Sequence, residues 1–352
     1  MSKRTVEDSL PRFFHAGKMT EFDCLTFIYH ELIIAVLSRQ SNGVSMKFTM
    51  RLAFYLFALV ILSPAHAATG TTFSGVHTSR HGIRSFHGYV PSSYQQGVPM
   101  PLVVALHGCT RDSYHYEKRT GWSKLAEQQG FIVVYPSQSI LSNLLLCWNW
   151  QLSKNQHRGR GEPALIAGIT DYVRSRYTVD PNRIYVTGTS AGGVMANIMT
   201  VAYPDVYAAS SIIAGCEYLC DPNAVRTPEE SGEAALIEMS VRARAVPTIL
   251  WQGTADTVVP APTSDRIIGQ WATIDGIDDI ADTTEYGQVP NGRAYIHQTY
   301  QDSAGNTLIE RYLIDGAEHT YPGGCDCDPL VDPKGPNATR LSWEFFEEHP
   351  IP

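Results

Sequence analysis

At 352 residues, with 43% hydrophobic and 18% charged side chains, the chain has an ordinary globular composition and enough length for a sizeable core. The formal net charge is −8 and no basic run interrupts it, which argues against nucleic acid or another polyanion as a partner. Residues 46–67, MKFTMRLAFYLFALVILSPAHA, read as a signal peptide. Lys47 and Arg51 precede an apolar run from Leu52 to Leu62, and Ala65-His66-Ala67 supplies a small-residue cleavage site. That run is too short to span a bilayer comfortably, so no stable membrane association is expected once it is removed. Cleavage after Ala67 predicts a protein exported to the periplasm or the extracellular space. Residues 1–45 fit an over-extended start or a disordered extension, and a single domain is expected over 70–352.

The seven cysteines lie at 24, 109, 147, 216, 220, 325 and 327. Cleavage after Ala67 removes Cys24 and leaves an even number, as suits an oxidising compartment. Among the many connectivities open to them, the expected pairs are Cys109–Cys147, Cys216–Cys220 and Cys325–Cys327.

In chain order, Gly75 to Val90 predicts a β-hairpin that ends at Pro91. PLVVAL at 101–106 is a continuous apolar run, as expected of a strand buried on both faces. A helix over Gly121–Gln129 stops at Gly130, and FIVVY at 131–135 is the next buried strand. Residues 136–160 form a long loop that carries Cys147-Trp148-Asn149-Trp150, and loops of this length are often functional. Glu162–Tyr177 has helical periodicity, and Asp180-Pro181-Asn182 turns into another strand. Beyond it, strands at 209–214 and 247–251 alternate with helices at 229–244 and 264–274. Two further strands, 293–300 and 307–313, precede a closing helix at 337–348. Such alternation predicts an α/β fold, with a mostly parallel sheet and helices on both faces.

The most informative stretch is RIYVTGTSAGGVMAN, 183–197. Ile184, Tyr185 and Val186 are β-formers, Gly188 to Gly192 is a G-x-S-x-G pattern, and Val194, Met195, Ile198 and Met199 recur at helical spacing. A strand, a sharp turn and a helix are what a nucleophile elbow requires, with Ser190 Oγ exposed over the helix N-terminus. A serine hydroxyl needs a positioned base, and an imidazole serves best when a carboxylate holds its other nitrogen. Asp256 follows the strand PTILWQG, and His319 follows the last strand, which is the order Ser, Asp, His of an α/β-hydrolase. Asp265, Asp282, His107 and His297 compete, but Asp265 and Asp282 do not directly follow a buried strand, His297 sits within one, and His107 is expected to brace a turn. The oxyanion hole is expected from the N–H of Ala191 and that of Cys109, in the turn after PLVVAL. His319, Cys325 and Cys327 also allow a zinc reading, but the spacing is unusual and exported cysteines tend to pair, so no metal is expected.

Several motifs together resemble one family: LHGC at 106–109, CWNW at 147–150, RGRGEPALI at 158–166, VDPNRIYVTGTSAGG at 179–193 and GAEHTYPGG at 316–324. They resemble the poly(3-hydroxybutyrate) depolymerase esterases, relatives of the carbohydrate esterases that include feruloyl and acetylxylan esterases. The resemblance covers most of 75–345. It implies an α/β-hydrolase fold and a secreted serine esterase without cofactor, with Ser190, Asp256 and His319 at the triad positions. The substrate it implies is poly- or oligo(3-hydroxybutyrate), with a feruloyl or acetyl ester on plant polysaccharide as the alternative. A non-catalytic secreted binding protein on the same scaffold is the competing class, but such a relative usually lacks a triad member. Trp148 and Trp150 flank the expected site, where they would either grip substrate or pack around a disulfide. Residues 217–245 and 276–292 carry no recognised motif and are expected to set specificity. Oligomeric state is not legible.

Overall fold

A computed structural model describes residues 69–221 and 226–352. The expectations for 1–45 and 46–67 lie outside the described residues. One ten-stranded sheet organises the rest. The strands are β1 (Thr71–Ser79), β2 (Gly82–Val90), β3 (Met100–Leu106), β4 (Ile132–Pro136), β5 (Val179–Thr189), β6 (Ser210–Ile213), β7 (Thr248–Gly253), β8 (Thr283–Gln288), β9 (Ala294–Gln301) and β10 (Thr307–Ile314). Their order is β1-β2-β4-β3-β5-β6-β7-β10-β9-β8. The six strands from β4 to β10 in that order pair in parallel, and an antiparallel pair flanks them at each edge. Two short strands, β11 (Tyr321–Pro322) and β12 (Val331–Asp332), pair separately.

Every residue of β3 is buried, as its unbroken apolar run requires. Its alternation feeds two cores. Leu102, Val104 and Leu106 join Ile166 and Ile169 of α3 (Gly161–Arg176), Met195 and Met199 of α4 (Ala191–Ala202), Met239 of α5 (Pro228–Met239) and Trp271 of α6 (Pro262–Asp275). Val103 and Ala105 face the other way, toward Tyr116 of α1 (Ser113–Thr120), Trp122 of α2 (Trp122–Gln129) and Trp343 and Phe346 of α7 (Ala338–Glu348). Phe346 stacks on Tyr185 of β5 at 4.6 Å between ring centroids, so α7 is fastened to the centre of the sheet by aromatic burial. The α/β-hydrolase architecture follows: a mostly parallel sheet covered on both faces. No helix among the described residues is long and apolar enough to cross a membrane.

Several boundaries differ from the sequence reading. Helix α1 was not expected, because SYHYEKRT has no apolar period; Asp112 starts it by accepting the N–H of His115, and Gly121 ends it with φ 73°. The expected turn at Asp180–Asn182 lies inside β5, where pairing with β3 jumps from Met100–Val179 to Leu102–Ile184 and the extra residues bulge out. Helix α5 stops at Ser240, whose φ is 55°, rather than at Arg244. Strand β8 was missed because TTEYGQ is an exposed edge with no hydrophobic face.

The fold places the site. From β3 the chain moves to β4 on one side and later returns through β5 on the other, so the loops after β3 and β5 diverge at the carboxyl edge of the sheet. Open α/β sheets bind ligands in the crevice at such a switch point.

Candidate active site

Strand β5 ends at Thr189 and α4 begins at Ala191, leaving Ser190 alone to make the turn, with φ 56° and ψ −125°. A non-glycine residue holds that conformation only where its surroundings over-determine it. Ser190 N–H donates to Ile213 O at 2.8 Å, and Ser190 O accepts from Val194 N–H at 2.9 Å. Glycines make the close crossing possible: a Cβ on Gly188 would run into the carbonyl of Gly192, and a Cβ on Gly192 into that of Leu106.

The loops after β7 and β10 are sewn together. Thr254 N–H donates to Ile314 O and Ala255 N–H to Ala317 O, each at 3.0 Å, while Gly316 N–H donates to the Thr254 hydroxyl at 2.8 Å. These bonds bring Asp256 and His319 into contact, with His319 Nδ1 donating to Asp256 Oδ2 at 2.7 Å. The other carboxylate oxygen accepts the N–H groups of Val258 and Val259, both at 2.8 Å. Burial pushes the Asp256 carboxyl up, but the bonds from His319, Val259 and Val258 outweigh it and hold it below the usual carboxylate range. The carboxylate therefore stays charged and fixed, and His319 Nε2 has no partner among the described residues. Asp265, by contrast, pairs with Arg311, and Asp282 accepts the N–H of Gln301, so both competitors are engaged elsewhere.

Ser190 opens on a cavity of about 500 Å³, whose wall includes Cys109, Ala191, Trp150, Val258 and Val259. Neither Ala191 N–H nor Cys109 N–H has an acceptor among the described residues, and both residues border the cavity beside Ser190. His107 holds the turn that carries Cys109. Its Nδ1 donates to Gly108 O at 2.7 Å, and its Nε2 accepts the Gln138 N–H at 2.9 Å. That pair of bonds needs the neutral ring, and burial lowers its pKa to about 4.

The pH dependence that results has a definite sign. The folded pKa lies below the ordinary value near 6.5, so the unfolded chain binds the extra proton first, and stability falls as pH drops from about 6.5 toward 4. The loss expected from this group is about 3 kcal/mol at most. Urea unfolding midpoints of the wild type and of His107→Asn, measured across that range, are expected to converge at acid pH. Parallel curves would show that the ring is not held neutral.

One expectation needs correction, that for Trp148. The Trp148 ring is fully buried, donates from Nε1 to His107 O at 3.0 Å and is absent from the cavity wall, so it braces the turn rather than meeting substrate; Trp150 does line the cavity. Cys325 and Cys327 are joined to each other, which takes both sulfurs from the zinc reading. The other disulfides are Cys109–Cys147 and Cys216–Cys220. Sequence reasoning missed Glu162, which is buried, pairs with Arg84 at 3.0 Å and accepts from Gln138 and Asn149, tying the 136–160 loop to α3. Its only signal was its place in RGRGEPALI, where it reads as an ordinary first-turn acid.

The sequence profile of the family described as "Esterase PHB depolymerase" matches residues 85–292. The chain belongs to that family. This esterase is 33% identical over 307 residues to a poly(3-hydroxyalkanoate) depolymerase C of Paucimonas lemoignei, covering 82% of its own length and 71% of the relative. It is 29% identical over 278 residues to feruloyl esterase B of Neurospora crassa, covering 73% and 91% of the two chains. Among solved structures, the acetyl xylan esterase from Aspergillus awamori superposes with a TM-score of 0.63 at 22% identity, over 78% of this chain and 99% of that one, which shows a shared fold. The protein is a carboxylic ester hydrolase.

Proposed function

We propose that this esterase is an exported serine hydrolase that cleaves poly- or oligo(3-hydroxybutyrate) through Ser190, His319 and Asp256. The observation that carries the reading is the 2.7 Å bond from His319 Nδ1 to a buried, charged Asp256, whose own loop lends Val258 and Val259 to the wall of the cavity on which Ser190 opens. Ser190 Oγ attacks the ester carbonyl carbon as His319 Nε2 takes its proton. The N–H groups of Cys109 and Ala191 receive the negative oxygen, which preorganised donors stabilise more strongly than the ground-state carbonyl. Collapse of the tetrahedral intermediate expels the alcohol, which takes the proton from His319. Water, deprotonated by the same nitrogen, then releases the acid and restores Ser190. Export is supported by the pattern of residues 46–67 and by the three disulfides.

A fluorophosphonate probe is expected to label Ser190, located by peptide mass. A folded protein that is not labelled there would overturn the mechanism. The hydroxybutyrate substrate is favoured by the depolymerase similarity over most of the chain. An acetyl or feruloyl ester on polysaccharide is the second reading, favoured by the names of the other relatives. Hydroxybutyrate oligomers, acetylated xylan and methyl ferulate, assayed side by side on protein beginning at Ala68, separate the two. Oligomer cleavage supports the first; release of acetate or ferulate alone moves the function to the second.

A further inference from the structure

The cavity wall is largely apolar, built from residues such as Trp150, Val194, Val258 and Pro260, and it is interrupted by an ion pair that the triad does not use. Glu217 follows β6, between Cys216 and Cys220 of one disulfide, and is buried. Arg266 projects from α6 and is partly exposed. Arg266 Nε and Nη2 both converge on one oxygen of Glu217, at 2.7 and 2.6 Å, and Nη2 also donates to Arg226 O at 2.7 Å. The second oxygen of Glu217 is buried with no hydrogen-bond partner, and the hydrogen bonds of the partly exposed Arg266 run from Nε and Nη2, leaving Nη1 to add none among the described residues. Glu217 and Arg266 both line the cavity that includes Ser190, so this paired acid and base leaves one acceptor oxygen and one donor nitrogen uncommitted in that wall. Buried polar groups are nearly always paired, so an orphaned carboxylate oxygen beside a reaction cavity calls for an explanation.

The position is built, not loose. Asn197 donates to Cys216 O at 3.0 Å, Tyr218 N–H donates to Gln270 Oε1 at 2.7 Å, and the Tyr218 hydroxyl donates to Gln156 O at 2.7 Å. These bonds pin the backbone on both sides of Glu217. A fixed group of this kind offers specificity, because its partners are lost when the wrong ligand binds.

We infer that Glu217 and Arg266 form a specificity-determining pair that recognises a hydroxyl group on the substrate, next to the ester that Ser190 attacks; the inference rests on the esterase reading of this cavity. A hydroxyl donates one hydrogen bond and accepts another, which matches a free carboxylate oxygen beside a free guanidinium N–H. A carboxylate ligand would meet Glu217 with like charge, and an ammonium would meet Arg266 likewise. Three ester classes carry such a hydroxyl: the 3-hydroxyacyl end of a hydroxyalkanoate, a sugar ring, and the phenol of a ferulate.

The test uses matched pairs of esters in which the hydroxyl is removed or capped by a methyl group: p-nitrophenyl 3-hydroxybutyrate against p-nitrophenyl butyrate, a xyloside monoacetate against its O-methylated form, and methyl ferulate against methyl 3,4-dimethoxycinnamate. The expected result in the wild type is a preference of at least about tenfold in kcat/KM for the hydroxyl-bearing member of one pair, and that pair identifies the class. In Glu217→Gln and in Arg266→Lys the ratio is expected to fall toward one. The ratio is the readout because any general damage to the cavity affects both members alike, and Arg266→Lys keeps the charge that Glu217 needs if Glu217→Gln fails to fold. Equal rates for all three pairs in a wild type that hydrolyses p-nitrophenyl butyrate overturn the inference and leave the esterase standing. An unchanged ratio in both variants does the same. A wild type that hydrolyses none of the esters overturns the esterase reading itself.

Discussion

Ser190→Ala and His319→Ala are each expected to lower kcat by about 10⁶-fold, and the double variant is expected to lose no more than either alone. The reason is that in the proposed mechanism the two side chains share one event. Without the imidazole the hydroxyl keeps its proton and is a poor nucleophile; without the hydroxyl the imidazole has nothing to activate. Asp256→Asn should cost less, about 10⁴-fold, because the imidazole remains but loses the acceptor that fixes its tautomer. The 2.7 Å bond to Asp256 and the pair of backbone N–H groups on its other oxygen support the proposed role of this residue as an orienter rather than a proton carrier. Single-turnover assays with a chromogenic ester, on variants whose thermal unfolding matches the wild type, provide the measurement. Additive losses in the double variant would mean that the residues act separately, and the triad assignment would fail.

The second large effect concerns the Cys109–Cys147 disulfide. It closes a loop of 38 residues, which corresponds to about 4 kcal/mol of stabilisation from restricting the unfolded chain. It also fastens the residue whose N–H borders the cavity to the long loop that Glu162 anchors. Replacing both cysteines with serine is therefore expected to do two things. Stability falls by about that amount, and kcat falls by about 10²-fold, the usual consequence of a displacement near 1 Å in a catalytic group. KM for a short ester should move less, because the donor acts on the oxyanion. His107 and Trp148 still grip the turn through Gly108, Gln138 and the His107 carbonyl, so the fold should survive. A stable double variant with wild-type kcat would show that those contacts hold the oxyanion donor unaided.

Much of this was legible in the chain itself, for identifiable reasons. PLVVAL and the run into Gly188 have no polar interruptions, so they announce central strands, and G-x-S-x-G after such a strand has few structural meanings. The contact between Asp256 and His319 was readable because each lies in the loop just beyond a strand, where a parallel sheet places its carboxyl-end loops. What escaped depended on contacts across long separations or on weak local pattern. Helix α1 is mostly polar, and β8 is exposed on both faces, so neither carries the periodicity that marks an element. Trp148 and Trp150 stand two residues apart and look equivalent, yet one is buried against the His107 turn and the other faces the cavity. Glu217 and Arg266 lie in segments without motifs, 49 residues apart, and only the folded sheet brings them together.

The seam between the loops after β7 and β10 has a consequence for biogenesis. His319 reaches Asp256 only when β10 has docked beside β7, and β10 is the last strand of the main sheet to be synthesised. Under the proposed export and triad, a chain still threading out through an export channel would have its nucleophile elbow complete and its base missing. For a chain exported as proposed, ester-cleaving power would arrive at the close of folding, after the chain has left the compartment where it was made.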